Sequence, residues 1–337
     1  APVIRLKDAL WAVQRDRLRT ARAVADLAGP APTPSAIDAF ASVQAALSAI
    51  DRLEVRGRDS AGLMLLVHGH GLDLADQAVA ALLADRADDP LFTAGAVRVT
   101  PEGHLSFVYK AAAEIGELGD NTAVLRAAIR DDALLHLAVA GEGSETTVLG
   151  HTRWASIGII SQPNAHPMNS DELDREGGPY VTAALNGDVD NFADLKVSDE
   201  LRIAAEITSD AKVIPTLVSR GLAAGDTAVD AFRQSVRRFD GSVAIAANVA
   251  GAPDRLQLAL RGSGQALYVG LDEDLYVVAS EPYGVVEDAT SYLRLDGETP
   301  ADPLDAAASR GQVVELDASA AGTIDGLRRF SYDGTEL

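Results

Sequence analysis

The run Gly150-His151-Thr152-Arg153-Trp154-Ala155-Ser156-Ile157-Gly158, followed by Asn164-Ala165-His166-Pro167, holds the residues best suited to chemistry. An Arg beside a Trp at the end of a strand, with a Gly-containing loop after it, would set a guanidinium fork for a carboxylate next to an apolar lid. Taken singly, the same pair suits a surface ion pair and a core tryptophan equally well. Residues 180–185 run directly into Asn186-Gly187-Asp188-Val189-Asp190-Asn191. An Asn-Gly step ending a buried strand can aim one side-chain amide and one backbone N–H at a developing oxyanion, although alone it is more often a plain turn. Downstream, Thr208-Ser209-Asp210-Ala211-Lys212 begins a helix, where Asp210 is either a cap or dipole partner or a ligand for a substrate ammonium. His68 and His70 lie in a Gly-rich loop with no third ligand signalled nearby, so they read as solvated turn residues and no metal site is expected.

These residues need elements to hold them. Residues 8–27 are predicted helical, with Leu10, Val13, Leu18, Val24 and Leu27 set among Arg and Asp, and Gly29-Pro30-Ala31-Pro32 stops the helix. A second helix has Thr33 as N-cap, Pro34 at its first position, and Ile37, Phe40, Val43, Leu47, Ile50 and Leu53 on one stripe. The two read as an antiparallel hairpin. Arg56-Gly57-Arg58-Asp59-Ser60-Ala61-Gly62 then leads into the apolar run 63–67, a buried strand, and 72–89 and 121–132 read as helices with a strand at 105–109 between them. Beyond 146, strands are expected at 147–149 and 180–185, helices at 210–219 and 227–239, and four β-rich runs at 242–249, 256–260, 266–269 and 275–279. Each of the four is bounded by Gly, Pro or Asp, so hairpins should join them into an antiparallel sheet. Strands at 312–316 and 327–332 close the chain. No linker divides it, and the whole reads as one α+β domain over 33–337, with an insertion around 69–103 and an N-terminal helical extension over 1–32.

Composition narrows the class. The 337 residues carry 29 Lys+Arg against 50 Asp+Glu, a formal net charge of −21, which disfavours phosphate backbones and anionic lipid as partners. Nucleic acid and membrane are therefore not expected. With 47% hydrophobic residues the chain can bury a core, and no apolar run approaches the roughly 20 residues of a membrane helix. Zero cysteines leave no disulfide, thiolate metal site or thiol nucleophile within these residues.

Taken in order, the motifs resemble the glutaminase domain of the glucosamine-6-phosphate synthases (glutamine–fructose-6-phosphate aminotransferases), class II glutamine amidotransferases with an N-terminal nucleophile. The family's Arg-Gly-Tyr-Asp-Ser-Ala-Gly run stands here as Arg56 to Gly62, with Arg58 for Tyr, and His151-Thr152-Arg153-Trp154 and Asn164-Ala165-His166-Pro167 match outright. Asn186-Gly187 with Asn191, Ser209-Asp210 ahead of Val213-Ile214, Asp240-Gly241-Ser242, and Arg261-Gly262-Ser263-Gly264 before Leu267-Tyr268-Val269-Gly270 extend the likeness toward the end of the chain.

The resemblance implies a four-layer αββα fold, two antiparallel sheets between helical layers. It implies that Asn186 and Gly187 form the oxyanion hole, that Arg153 holds the α-carboxylate of L-glutamine and Asp210 its α-ammonium, and that Trp154 and Ser156, the latter in place of the usual Thr, belong to a closing lid. Arg56, Asp59, His151 and His166 would support these groups from behind. It also implies no cofactor, a cytoplasmic protein, C-terminal sugar-isomerase domains as partners in a longer polypeptide, and a homodimer. The family opens with Cys-Gly on a core strand, whose thiol and α-amine are nucleophile and base, whereas Ala1 opens a helix-forming stretch here. Two readings stand: the nucleophilic strand lies upstream, or the chain is a non-catalytic glutamine-binding or scaffold module of the same fold.

Overall fold

Thr33 accepts a hydrogen bond from Ala36 N at 3.3 Å and Pro34 opens the helix behind it, as expected of an N-cap followed by proline. The computed structural model describes residues 2–112, 117–154, 158–174, 177–305 and 308–337. Its first helices are α1 (Pro2–Trp11), α2 (Leu18–Ala28), joined to α1 by a π-helical stretch at Ala12–Arg17, and α3 (Pro34–Leu53). On α3, Phe40, Val43, Leu47 and Ile50 are buried. Ile37, expected on the same stripe, is exposed because it lies roughly 100° around the helix from the centre of that face. Only the C-terminal end of the first apolar seam is buried, at Leu27. Leu10, Val13 and Leu18 lie beyond the contact of α2 with α3 and are exposed.

The middle of the chain comprises β1 (Ser60–His68), α4 (Gln77–Leu83), β2 (Val97–Val99), β3 (Leu105–Ala112), α5 (Asp120–Arg130), α6 (Ala133–Val139) and β4 (Glu145–Arg153). Helix α4 is shorter than the run 72–89 suggested, because Asp76 caps its start and Arg86 leaves the helix to pair with Asp132. The helix expected over 121–132 ends at Arg130, since Asp132 accepts from Leu134 N and Leu135 N, both at 3.1 Å, and so caps a further helix. Within 69–103, β2 extends the sheet at its edge and Val79, Leu83 and Phe92 are buried.

The remainder holds β5 (Met168–Asn169), β6 (Val181–Gly187), α7 (Phe192–Ser198), α8 (Val213–Ala223), α9 (Ala228–Arg237), β7 (Val243–Val249), β8 (Ala252–Arg261), β9 (Ala266–Asp272), β10 (Leu275–Ala279), β11 (Ser291–Asp296), β12 (Gln312–Asp317) and β13 (Leu327–Phe330). A four-stranded antiparallel sheet runs β2-β3-β1-β4 and a six-stranded one β13-β12-β8-β7-β6-β5. Alternation on β1 shows how they stack: Leu63, Leu65 and Val67 face α2–α6, while Met64 and Leu66 meet Tyr180 and Ala184 of the facing sheet. On the far side, Ile214, Val218, Phe232 and Val236 of α8 and α9 cover the six-stranded sheet. The result is the αββα layering expected. A third sheet, β10-β9-β11, joins it: the hairpin of β9 and β10 leaves the line of β8 and packs Leu267 and Val269 against Leu258 and Leu260. No helix among the described residues is long and apolar enough to cross a membrane.

Candidate functional site

Arg153 ends β4, and the segment before β1 is laid along it. Gly57 is required there, since a Cβ would stand 2.6 Å from Trp154 N. Thr152 Oγ1 donates to Gly57 O, and Asp59 N donates to Arg153 O at 3.1 Å. Arg153 is 5% exposed, with Nη1 3.4 Å from Ile159 O. Burial lowers its guanidinium pKa, against the pull of Asp210 and Asp59. A guanidinium so placed stays charged and costs little further entropy to dock.

Asp210 stands on the 3₁₀ turn Asp210–Lys212 ahead of α8, as buried as Arg153, and its Oδ2 accepts from Val189 N at 2.8 Å. Burial raises its pKa, with Asp188 adding to the rise. One carboxylate thereby ties the turn after Gly187 to the start of α8. Asn164, which the sequence marked as part of a motif but gave no role, holds the same region: Oδ1 accepts from Thr208 N at 2.7 Å and Ser209 N at 2.9 Å, and Nδ2 donates to Glu206 O at 3.0 Å.

His166 accepts from Leu185 N at Nδ1, 3.4 Å, which leaves Nε2 to donate to Ser209 Oγ at 3.1 Å. Its ring lies 4.4 Å from that of His151. Burial, aided by Arg153, lowers His151 to about 4, and burial pushes His166 well below its ordinary value. These shifts favour the neutral form of both rings at pH 7, and both line the site. Protonation therefore favours the unfolded chain: stability is full above pH 6.5 and falls as pH drops toward 4, by on the order of 3 kcal/mol for His151. A His151→Asn variant should lose less stability than the wild type between pH 6.5 and 4.5 in urea titrations. Parallel curves would mean that the His151 ring is solvated.

Asn186 and Gly187 end β6, paired with Ala244 and Val243 of β7. Gly187 has φ +117° and a Cβ there would sit 2.0 Å from Ser242 O, so only glycine fits. Asn186 is exposed, and its Nδ2 donates to Gln265 Oε1 at 3.0 Å. Gln265 carried no signal in the sequence, because the contact spans 79 positions.

Arg153, Asp210, His166, Asn186 and Gly187 all line a trough of about 1010 Å³. One wall is the outer edge of β4 and the other that of β10; each strand pairs on one side only among the described residues. Alanine and serine positions of α3 line one face, and Ala184, Ala244 and Ala246 the other. Trp154 is on the rim but 73% exposed, covering nothing. Arg56 pairs with Glu281 across the rim rather than behind Arg153. Ser156 lies outside the described residues. Among those described, no group of three His, Asp or Glu could hold a metal ion.

No family model matches the chain. It is 33% identical over 156 residues to a glutamine–fructose-6-phosphate aminotransferase of Caulobacter vibrioides and 32% over 154 residues to that of Geobacillus kaustophilus, stretches covering 46% and 45% of this chain. Each covers 24% of the relative, so the match spans about a quarter of those proteins. Among solved structures, an allosteric regulatory enzyme of purine biosynthesis superposes with a TM-score of 0.52 at 19% identity, over 86% of this chain and 46% of that one. The glutamine phosphoribosylpyrophosphate amidotransferase of B. subtilis gives 0.50 at 17%, over the same shares. The chain resembles the glutamine amidotransferases in sequence and in fold. It shares its fold with these two solved enzymes, and the relatives it matches in sequence are glutamine–fructose-6-phosphate aminotransferases.

Proposed function

We propose that the domain binds L-glutamine between Arg153, Asp210, Asn186 and Gly187 and releases its side-chain amide as ammonia. The nucleophile would be a cysteine thiol on an extended segment laid in the trough. What supports this reading is the trough itself: the edge strands β4 and β10 both line it, and so do the guanidinium, the carboxylate and the Asn-Gly turn. β4 offers nine residues of open edge, on the order of 30 Å of strand.

In that arrangement the Arg153 fork takes the substrate α-carboxylate and Asp210 its α-ammonium. The cysteine's α-amine accepts the thiol proton, and sulfur attacks the amide carbon. Asn186 Nδ2 and Gly187 N–H receive the oxyanion, the amine returns the proton to the leaving nitrogen, and water cleaves the thioester. The ammonia acceptor is a sugar phosphate, fructose 6-phosphate, handled by sugar-isomerase domains of the same cytoplasmic, dimeric polypeptide. A second reading is a glutamine-binding module of the same fold that works without a nucleophile.

Binding does not need the thiol, so calorimetry of this chain with L-glutamate, the product, tests the pocket itself. One saturable site per chain is expected. No binding would overturn both readings.

A further inference from the structure

We infer that a second pocket, behind the turn that faces Asn186, binds a small phosphorylated ligand. It is an open concavity of about 460 Å³, and Arg237, Arg261 and Arg310 line it against one carboxylate, Glu298. Two excess positive charges are thus gathered in one concavity of a chain whose net charge is −21. A dianion matches that excess, while the acidic remainder of the surface disfavours a polyanion.

The pocket is built rather than incidental. Arg261 Nη1 donates to the carbonyls of Arg237 at 2.7 Å and Phe239 at 2.6 Å, and its Cζ lies 5.9 Å from the Tyr332 ring centroid. The guanidinium plane is fixed before any ligand arrives, which lowers the entropic cost of a bidentate contact. Arg310 Nη1 is tied to Glu298 O at 3.2 Å, and Gly311 N donates to Thr299 O at 2.9 Å, setting that side of the mouth.

Backbone forms the rest of the wall. Gly262 has φ +84°, and a Cβ on Gly297 would stand 2.3 Å from Gly262 O, so the two loops approach as closely as glycine allows. Ser263 and Ser309 line the same space with neutral hydroxyls. A volume of 460 Å³ exceeds what a bare ion fills and falls in the range of small-molecule sites, so the ligand carries an organic body on its phosphate.

The site bears on the catalytic turn. Ser242 Oγ donates to Ser263 O at 2.6 Å, and two residues on, Gln265 accepts from Asn186. A ligand that orders 262–265 therefore shifts the Asn186 amide, a consequence that rests on the glutaminase reading; the binding site itself does not.

Calorimetry of the 337-residue chain at low salt, with inorganic phosphate and with glycerol 2-phosphate, is the test. Saturable binding is expected, tighter for the ester. Arg237→Gln and Arg310→Gln should each weaken it roughly tenfold or more, and Glu298→Gln should strengthen it. Both arginines are exposed, so the variants should melt with the wild type. Absence of saturable binding, or affinities indifferent to all three substitutions, would overturn the site, and equal binding of phosphate and ester would overturn the organic body. Loss of glutaminase function elsewhere would leave this titration unchanged.

Discussion

Joined at its N-terminus to a strand that begins Cys-Gly, the chain should release ammonia from L-glutamine, while the 337 residues alone should stay at background. No thiol is present in them, and no Ser or Thr opens the sequence to stand in as an N-terminal nucleophile. Glutamine-analogue alkylators, which need a thiolate, should likewise label only the extended form. Packing and chemistry separate cleanly in a control that begins Ala-Gly. That strand should raise the melting temperature, because it pairs with the open edges of β4 and β10 and buries its apolar side chains between α3 and the six-stranded sheet. It should release no ammonia. Turnover by the 337 residues, or by the Ala-Gly form, would require a nucleophile other than the one proposed.

In the Cys-bearing form, Asn186→Ala should lower turnover by about 10²–10³, the usual effect of removing one oxyanion donor. Stability should change little. Asn186 is exposed, its side-chain amide donates to Gln265, and its strand position is held by the backbone pairing of β6 with β7. Steady-state kinetics beside a thermal melt checks both halves. A variant that keeps its rate, or one that unfolds, would make Asn186 a turn residue only.

The local rules placed most of the frame. Runs such as 63–67, 105–109 and 242–249 are strands in the structure because short apolar stretches bounded by Gly, Pro or Asp have few alternatives to a buried strand. Thr33-Pro34 caps the second helix as read. Where an element depended on its neighbours, the sequence was mute. Helix α6 exists because Asp132 caps it while holding Arg86 and the Tyr109 hydroxyl, a set of partners 46 and 23 positions away. The expectation that hairpins join 242–249, 256–260, 266–269 and 275–279 into one antiparallel sheet fails at β9, which leaves β8 for a sheet of its own, because both choices alternate the same side chains.

The site divides the same way. Arg153, Asp210, Asn186 and Gly187 were legible as chemical types at strand and helix ends, and the structure brings all four to the trough. The partners that fix them were not: Gln265 on Asn186, Glu281 on Arg56, and Asn164 across 206–209 are side-chain contacts made only after the loops meet. Lys110, a single charge inside an apolar strand, was also missed. It is 2% exposed, its Nζ has no hydrogen-bond partner among the described residues, and burial lowers it to about 7.

The measurement that bears most directly on the account is the L-glutamate titration run on the wild type and on Arg153→Ala. A buried guanidinium that receives the α-carboxylate is worth roughly 2–5 kcal/mol, so the variant should fall below detectable affinity while keeping its fold. Unchanged L-glutamate affinity in Arg153→Ala would remove the residue from the pocket and contradict the site as assigned.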